Sequence, residues 1–268
     1  MPDIAVALIA GEGKLPEEIA HRLIQGGRMP LVYVLGGNHA RFGGLGAEEV
    51  VPLENPDLDF VIQDLLKRGV HRVMLAGLVP KTLMYRADNL GRSLGRILEN
   101  LDSKDDHTLL SAIVAEIERA GVRVLPYKDV IPDLLAPEGL IAGRLPSDAE
   151  KEDIAYARNV AQTLLPLSFG QTLAVHSRAV VAVEAMEGTD RMIKRVGELV
   201  RGGVLLKMMR ADQDERYDLP TVGPSTIENM ASAGLTCLAV EADRTIVLER
   251  NDFARMARET GIAVWGLR

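Results

Sequence analysis

The chain has 268 residues, enough for one large domain or two modest ones. Aromatic residues make up only 4% of it, so any core must be built from Val, Leu, Ile, Ala and Met. A net charge of −7 and a pI of about 5.4 exclude a non-specific nucleic-acid binder, which needs a basic footprint, and the lone Cys237 excludes an internal disulfide or a Cys-based zinc site.

Ile4 to Ala10 is a short continuous apolar run, the mark of a strand buried on both faces. Gly11-Glu12-Gly13-Lys14-Leu15-Pro16 follows, and Glu17 to Gln25 is helical in pattern until Gly26-Gly27 stops it. Glycines after such a strand let backbone amides approach a phosphate; a tight turn without a ligand is the alternative. The alternation continues with strands predicted over 30–35, 49–53, 72–76 and 122–126 and helices over 58–68 and 106–120. Strands and helices in turn imply a parallel sheet covered on both faces, with ligands beyond the carboxyl ends of the strands. Gly11/Gly13, Gly36/Gly37 and Gly77 all fall at those ends, and Lys81 and Asp105-Asp106 fall near them.

Residues 131–165 are punctuated by Pro132, Pro137, Gly139, Gly143 and Pro146 before a helical stretch, and read as a linker with a connecting helix. This sets an amino-terminal domain at 1–130 and a carboxy-terminal one at 166–268. The second half is again α/β. Strands are predicted over 172–175 and 179–183 around a tight turn at His176-Ser177-Arg178. A helix over 192–200 follows, then a strand over 204–209 and a helix over 225–233. The chain closes with strands near 236–240 and 245–248, a helix over 252–260 and a last strand over 262–265.

Two acidic segments each follow a strand in this half. One holds Glu184, Glu187 and Asp190; the other holds Asp212, Asp214, Glu215 and Asp218. Each leads to a hydroxyl-rich helix start, at Thr189 and at Thr221, Ser225 and Thr226. Such segments suit Mg²⁺, which takes one or two carboxylates and keeps waters for attack on phosphorus. Lys194, Arg195, Lys207 and Arg216 can offset the charge of a bound diphosphate. The plain alternative is a set of capped helices with solvated acids. The five histidines show no metal-ligand spacing, and neither a Gly-x-Ser-x-Gly elbow nor a Walker A loop is present. No apolar run approaches the roughly 20 residues that span a bilayer. A cytoplasmic protein is expected.

Several blocks together resemble the LpxI-type UDP-2,3-diacylglucosamine pyrophosphatases. They are Val181-Ala182-Val183-Glu184-Ala185-Met186-Glu187-Gly188-Thr189-Asp190, then Gly203-Val204-Leu205-Leu206-Lys207, then Gln213-Asp214-Glu215-Arg216-Tyr217-Asp218-Leu219-Pro220-Thr221-Val222-Gly223, then Ile227-Glu228-Asn229-Met230. The opening Ile9-Ala10-Gly11-Glu12-Gly13-Lys14-Leu15-Pro16 is similar to that family's as well, so the likeness covers essentially the whole chain. It implies an amino-terminal Rossmann-like domain, a distinct carboxy-terminal domain with the substrate between them, and a homodimer. It also implies Mg²⁺-dependent addition of water to UDP-2,3-diacylglucosamine, releasing UMP and 2,3-diacylglucosamine 1-phosphate for lipid A synthesis. Peripheral contact with the inner membrane would follow from such a substrate.

Carried over residue by residue, the resemblance makes Asp218, Asp214, Thr221 and Lys207 the catalytic set. Asp218, Glu187 and Asp190 become metal ligands. Gly11, Gly13, Leu15, Thr189, Gln213 and Arg216 become substrate contacts; the glycine edge adds Gly77, and apolar character alone offers Leu83, Met84, Met186 and Met192 for the acyl chains. Two departures stand out: Met209-Arg210-Ala211-Asp212 where the family often has Lys-Pro before Gln-Asp, and His176-Ser177-Arg178 where it often has Lys-Asp-Gly. A nucleotide-sensing module without turnover is the competing expectation; an NAD-dependent dehydrogenase is disfavoured by the incomplete glycine fingerprint.

Overall fold

The computed structural model describes residues 6–36, 39–47, 49–54, 57–78, 92–101, 106–167, 170–210 and 213–268. Lys81, Leu83, Met84, Asp105 and Asp212 lie outside them. The chain forms two compact units. One comprises residues 1–132 together with Asp214–Asp218, the other residues 133–213 and 219–268.

The first unit is a parallel sheet of five strands: β1 (Ala7–Ala10), β2 (Leu31–Leu35), β3 (Glu49–Leu53), β4 (Arg72–Ala76) and β5 (Arg123–Val124), in the order β3-β2-β1-β4-β5. All of β2 is buried, as a strand covered on both faces must be. The helix Leu15–Gln25 begins two residues before its predicted start, because Pro16 supplies a first-turn residue with φ already set. The helix Leu58–Lys67 is capped by Asp57, whose carboxylate accepts from the Phe60 N–H at 3.1 Å. β5 is shorter than predicted: Pro126 has no N–H to give the ladder, and a 3-10 turn at Tyr127–Asp129 takes over. The helix Arg92–Asn100 was not predicted at all.

The second unit is a mixed sheet in the order β6-β13-β11-β9-β7-β8, formed by β6 (Gly139–Ala142), β7 (Thr172–His176), β8 (Ala179–Val183), β9 (Val204–Lys207), β11 (Cys237–Glu241) and β13 (Ala263–Leu267). β9, β11 and β13 run parallel; β7 is antiparallel to both β8 and β9, and β6 is antiparallel to β13. Two short strands, β10 (Thr221–Val222) and β12 (Ile246–Val247), pair separately. Side-chain alternation sorts the core into two layers. Leu205, Leu238, Val240 and Val264 pack with Met192, Ile193, Ile227 and Phe253 from the helices Thr189–Leu199, Pro224–Ala233 and Arg250–Thr260. Val204, Leu206, Cys237 and Ala239 pack with Ile154, Ala157 and Ala161 of the helix Asp148–Leu164. Residues read as a linker thus supply β6 and a core helix to this unit. Cys237 is fully buried and burial pushes its thiol up to about 12, so it serves as a small apolar side chain.

Ser147 and Glu150 form a reciprocal capping box at the start of Asp148–Leu164. Glu150 is buried and bonds much more than the cap. Its two oxygens take Arg144 Nη1 and Nη2, each at 2.7 Å, and Oε1 also accepts from Thr236 Oγ1 at 2.7 Å. The β7–β8 hairpin turns on Ser177 and Arg178, both at positive φ, and their N–H groups donate to the buried Asp153 carboxylate. Both left-handed residues of the His176-Ser177-Arg178 departure carry a backbone cost, and the two bonds to Asp153 offset it.

Candidate active site

In the first unit the loops after β1 and β4 zip together: Glu12 and Leu78 exchange both backbone hydrogen bonds, at 2.7 and 3.0 Å. A Cβ on Gly11 would lie 2.4 Å from the Leu78 carbonyl oxygen, and one on Gly77 2.6 Å from that of Glu12. Those two glycines are therefore required by close backbone approach alone. Gly13, at φ +94, faces open space, and Leu15 is a buried residue of the following helix. Sequence reading missed the residue that shapes this turn. Arg41 sends Nη1 to the Gly13 carbonyl at 2.8 Å and Nη2 to the Gly11 carbonyl, and its guanidinium lies 4.8 Å from the centroid of the Phe42 ring. Its Nε is buried and unpartnered among the described residues.

Asp214 to Asp218 forms a tight turn within the same unit. The N–H groups of Tyr217 and Asp218 both donate to the Asp214 carbonyl, at 3.2 and 2.9 Å. Arg216 organises the turn. Its Nε and Nη2 grip the Asp214 carboxylate at 2.8–3.0 Å, Nη1 reaches Glu118 at 2.7 Å, and its carbonyl accepts from the Tyr127 N–H at 3.2 Å. Burial works to raise the Asp214 carboxyl, but the Arg216 fork outweighs it and holds it below the usual carboxylate range. Glu215 pairs with Lys128. Asp218 is half-buried. Arg216 is thus committed to protein carboxylates in this state.

In the second unit a polar cluster gathers where β9 and β11 end, the carboxyl edge at which ligands of parallel sheets bind. Lys207 closes β9, is buried, and donates to the Thr221 carbonyl at 3.1 Å. Its cross-strand partner is Thr172 of β7. Glu184 follows β8 directly; its N–H donates to the Thr172 carbonyl at 2.9 Å. The Glu184 Oε1 accepts from Thr189 Oγ1 at 2.9 Å, and Thr172 Oγ1 lies 3.5 Å from that hydroxyl. Gln213 is held by the Arg210 N–H and by Gln171, at 2.8 and 3.2 Å, and Thr221 Oγ1 donates to the Leu219 carbonyl at 3.3 Å. Glu241 at the end of β11 accepts from the Met209 N–H at 3.0 Å.

Thr189, Lys207 and Thr221 thus belong to one edge. Glu187 and Asp190 sit nearby but are engaged: Glu187 pairs with Arg195 at 2.6 Å, and Asp190 accepts from the Asn229 amide at 2.9 Å. Of the acyl candidates, Met192 is wholly buried in the core, whereas Met186 is 73% exposed. Among the described residues no group of three or more His, Cys, Asp or Glu side chains is placed to hold a metal. Mg²⁺ asks for less, one or two protein oxygens completed by waters and phosphates. A depression of about 420 Å³ lined by Ser147, Asp153, His176, Gly203 and Thr236 lies at the opposite, amino ends of β9 and β11, away from this chemistry.

Residues 5–134 match the family model of the LpxI N-terminal domain, and residues 137–265 that of the LpxI C-terminal domain. The chain belongs to the LpxI family. A relative from Caulobacter vibrioides, the UDP-2,3-diacylglucosamine pyrophosphatase LpxI, is 31% identical over 98% of this chain and 97% of its own length. The biotin carboxylase domain of Hydrogenobacter thermophilus 2-oxoglutarate carboxylase is similar over 72% of this chain and 40% of that one, at 12% identity and a TM-score of 0.26, which carries no argument. Within the LpxI frame, what the sequence missed was Arg41, Gln171, Thr172 and the part played by Glu184. Only Glu184 left a signal: it is the acid directly next to a strand end, where side chains turn into the sheet edge. Among the described residues no helix is long and apolar enough to cross a membrane.

Proposed function

We propose that this protein hydrolyses the diphosphate of UDP-2,3-diacylglucosamine, releasing UMP and 2,3-diacylglucosamine 1-phosphate as a step of lipid A synthesis. Membership of the LpxI family along both units is the observation that carries the reading, and the polar edge around Lys207 and Thr189 supplies chemistry that suits it.

A water oxygen adds to the phosphorus on the uridine side. The bond from that phosphorus to the bridging oxygen breaks, and the sugar phosphate leaves. Asp218 takes the proton of the attacking water, the task of a general base. The Asp214–Arg216–Glu118 bridge keeps Asp218 at the end of a fixed turn. Lys207 and the N–H groups at the start of Thr189–Leu199 offset phosphate charge. Mg²⁺, when bound, neutralises the charge that builds on the phosphate oxygens. The protein acts as a homodimer in peripheral contact with the membrane that holds the lipid, with exposed Met186 facing the acyl chains.

The test is incubation of the purified protein with UDP-2,3-diacylglucosamine and Mg²⁺. UMP should appear, and its release should stop when EDTA is added. Nucleotide binding that ignores Mg²⁺, with no UMP formed, would favour the sensor module instead. A second expectation concerns the glycine turn. Arg41→Ala frees the Gly11 and Gly13 carbonyls and should raise KM about tenfold, at a kcat within about twofold of wild type, as expected when ground-state and transition-state binding fall together. An unchanged KM would detach that turn from substrate.

A further inference from the structure

The feature this reading leaves unexplained is the carboxylate of Glu184. The side chain is 8% exposed, and its Oε2 is buried with no hydrogen-bond partner among the described residues. A buried carboxylate satisfied on one oxygen only is destabilising unless a cation or a proton compensates it.

Hydrogen-bond direction decides what its neighbour can do. A hydroxyl has one proton and two lone pairs. The Thr189 proton is committed to Glu184 Oε1 at 2.9 Å, so in the 3.5 Å pair with Thr172 it is Thr172 that donates. Towards any further ligand Thr189 Oγ1 is an acceptor only. It cannot donate to a phosphate, but its remaining lone pair can bind a cation. Thr189 is the first residue of its helix, entered through Gly188 at φ +83 without a side-chain cap, and it is half-buried, so the oxygen remains reachable.

We propose that Thr189 Oγ1 is a ligand of a divalent cation, and that Glu184 is the positioning residue that takes the hydroxyl proton and supplies the counter-charge behind it. In P-loop enzymes, too, a Ser or Thr hydroxyl at a helix start binds Mg²⁺. It moves the second unit's metal contact away from Glu187 and Asp190, which already hold Arg195 and Asn229. The proposal rests on the diphosphatase reading only for the use made of the cation, whose shell waters and substrate phosphates would complete.

The experiment is a Mn²⁺ titration of the full chain, read by the electron paramagnetic resonance of free Mn²⁺. Wild type and Thr189→Ser should bind alike. Glu184→Gln should weaken binding by about tenfold, the range for lost outer-shell support, and Thr189→Val, which removes the ligand itself, by at least as much. Glu198→Gln, an exposed site on the same helix, is the charge-matched control and should leave binding unchanged. Without cation, Glu184→Gln should melt no lower than wild type, because it removes an uncompensated charge; a purely structural Glu184 would give a lower melt and unaltered Mn²⁺ binding. Wild-type binding in Thr189→Val, or none in wild type, overturns the proposal. Should Thr189→Val not fold, Thr189→Cys decides: a shift of preference from Mn²⁺ to Cd²⁺ supports it, and an unshifted preference overturns it. The two readings fail separately. Mn²⁺ bound through Thr189 without UMP release removes the proposed activity alone, and UMP release by Thr189→Val at wild-type Mn²⁺ affinity removes the cation site alone.

Discussion

Changing Asp218 to Asn is expected to lower kcat for UMP release by about 10²–10⁴-fold, the usual share of a general base. The amide keeps the shape of the side chain and loses its charge and basicity. The backbone bonds of the turn that presents it stay in place: the Asp214 carbonyl takes the Tyr217 and Asp218 N–H groups, and the Arg216 carbonyl takes that of Tyr127. Turnover should therefore fall much further than the melting temperature does. Asp214→Asn should behave differently. It weakens the grip of Arg216 and leaves Glu118 as that guanidinium's main anion, so melting and turnover should fall together. Steady-state kinetics with a thermal melt on both variants checks the contrast. Full kcat in Asp218→Asn would remove Asp218 from the chemistry.

The largest expected effect on stability lies far from any phosphate. Glu150→Ala should cost about 3 kcal/mol, because it removes the acceptor shared by Arg144, the Thr236 hydroxyl and the Ser147 cap. Burial pushes the Glu150 carboxyl up, but Arg144, the Ser147 N–H and the Thr236 hydroxyl outweigh it and hold it at about 2, against 4.5 for an ordinary glutamate. The folded value lies below the unfolded one, so this stability is present above about pH 4.5 and is lost as the pH falls towards 2. At neutral pH the difference amounts to about 3 kcal/mol. Urea unfolding at pH 7 and pH 3 should show a clear drop for wild type and a smaller one for Glu150→Ala. Equal drops would place the acid sensitivity elsewhere.

The backbone of both units was legible because it rests on local pattern. Apolar runs such as Leu31–Leu35 and the glycine stop at Gly26-Gly27 report their own environment. β6 was missed for the opposite reason. Gly139-Leu140-Ile141-Ala142 lies among prolines, and only its antiparallel partner β13, more than a hundred residues on, makes it a strand. β10 was missed because two residues between Pro220 and Gly223 carry no period. Composition located the acids of the site but not their state. Glu187, Asp190 and Glu184 look alike in sequence. Which of them carries an unsatisfied oxygen depends on Arg195, Asn229 and Thr189, and no spacing rule encodes those partners. Arg41 was invisible for a similar reason: its bonds to the Gly11 and Gly13 carbonyls cross about thirty positions of chain.

The five residues Asp214–Asp218 pack with a unit whose other residues all precede position 133. A ribosome adding roughly 5–20 residues per second needs roughly 4–16 s to make residues 133–213. For that interval residues 1–132 are already synthesised, yet Glu118 and Lys128 have not met Arg216 and Glu215. Its last piece arrives only when most of the second unit has been synthesised. Cutting the gene at position 132 would therefore not yield two independent halves: the amino-terminal fragment would lack the turn that carries Asp218, and the carboxy-terminal fragment would carry it without its anchors.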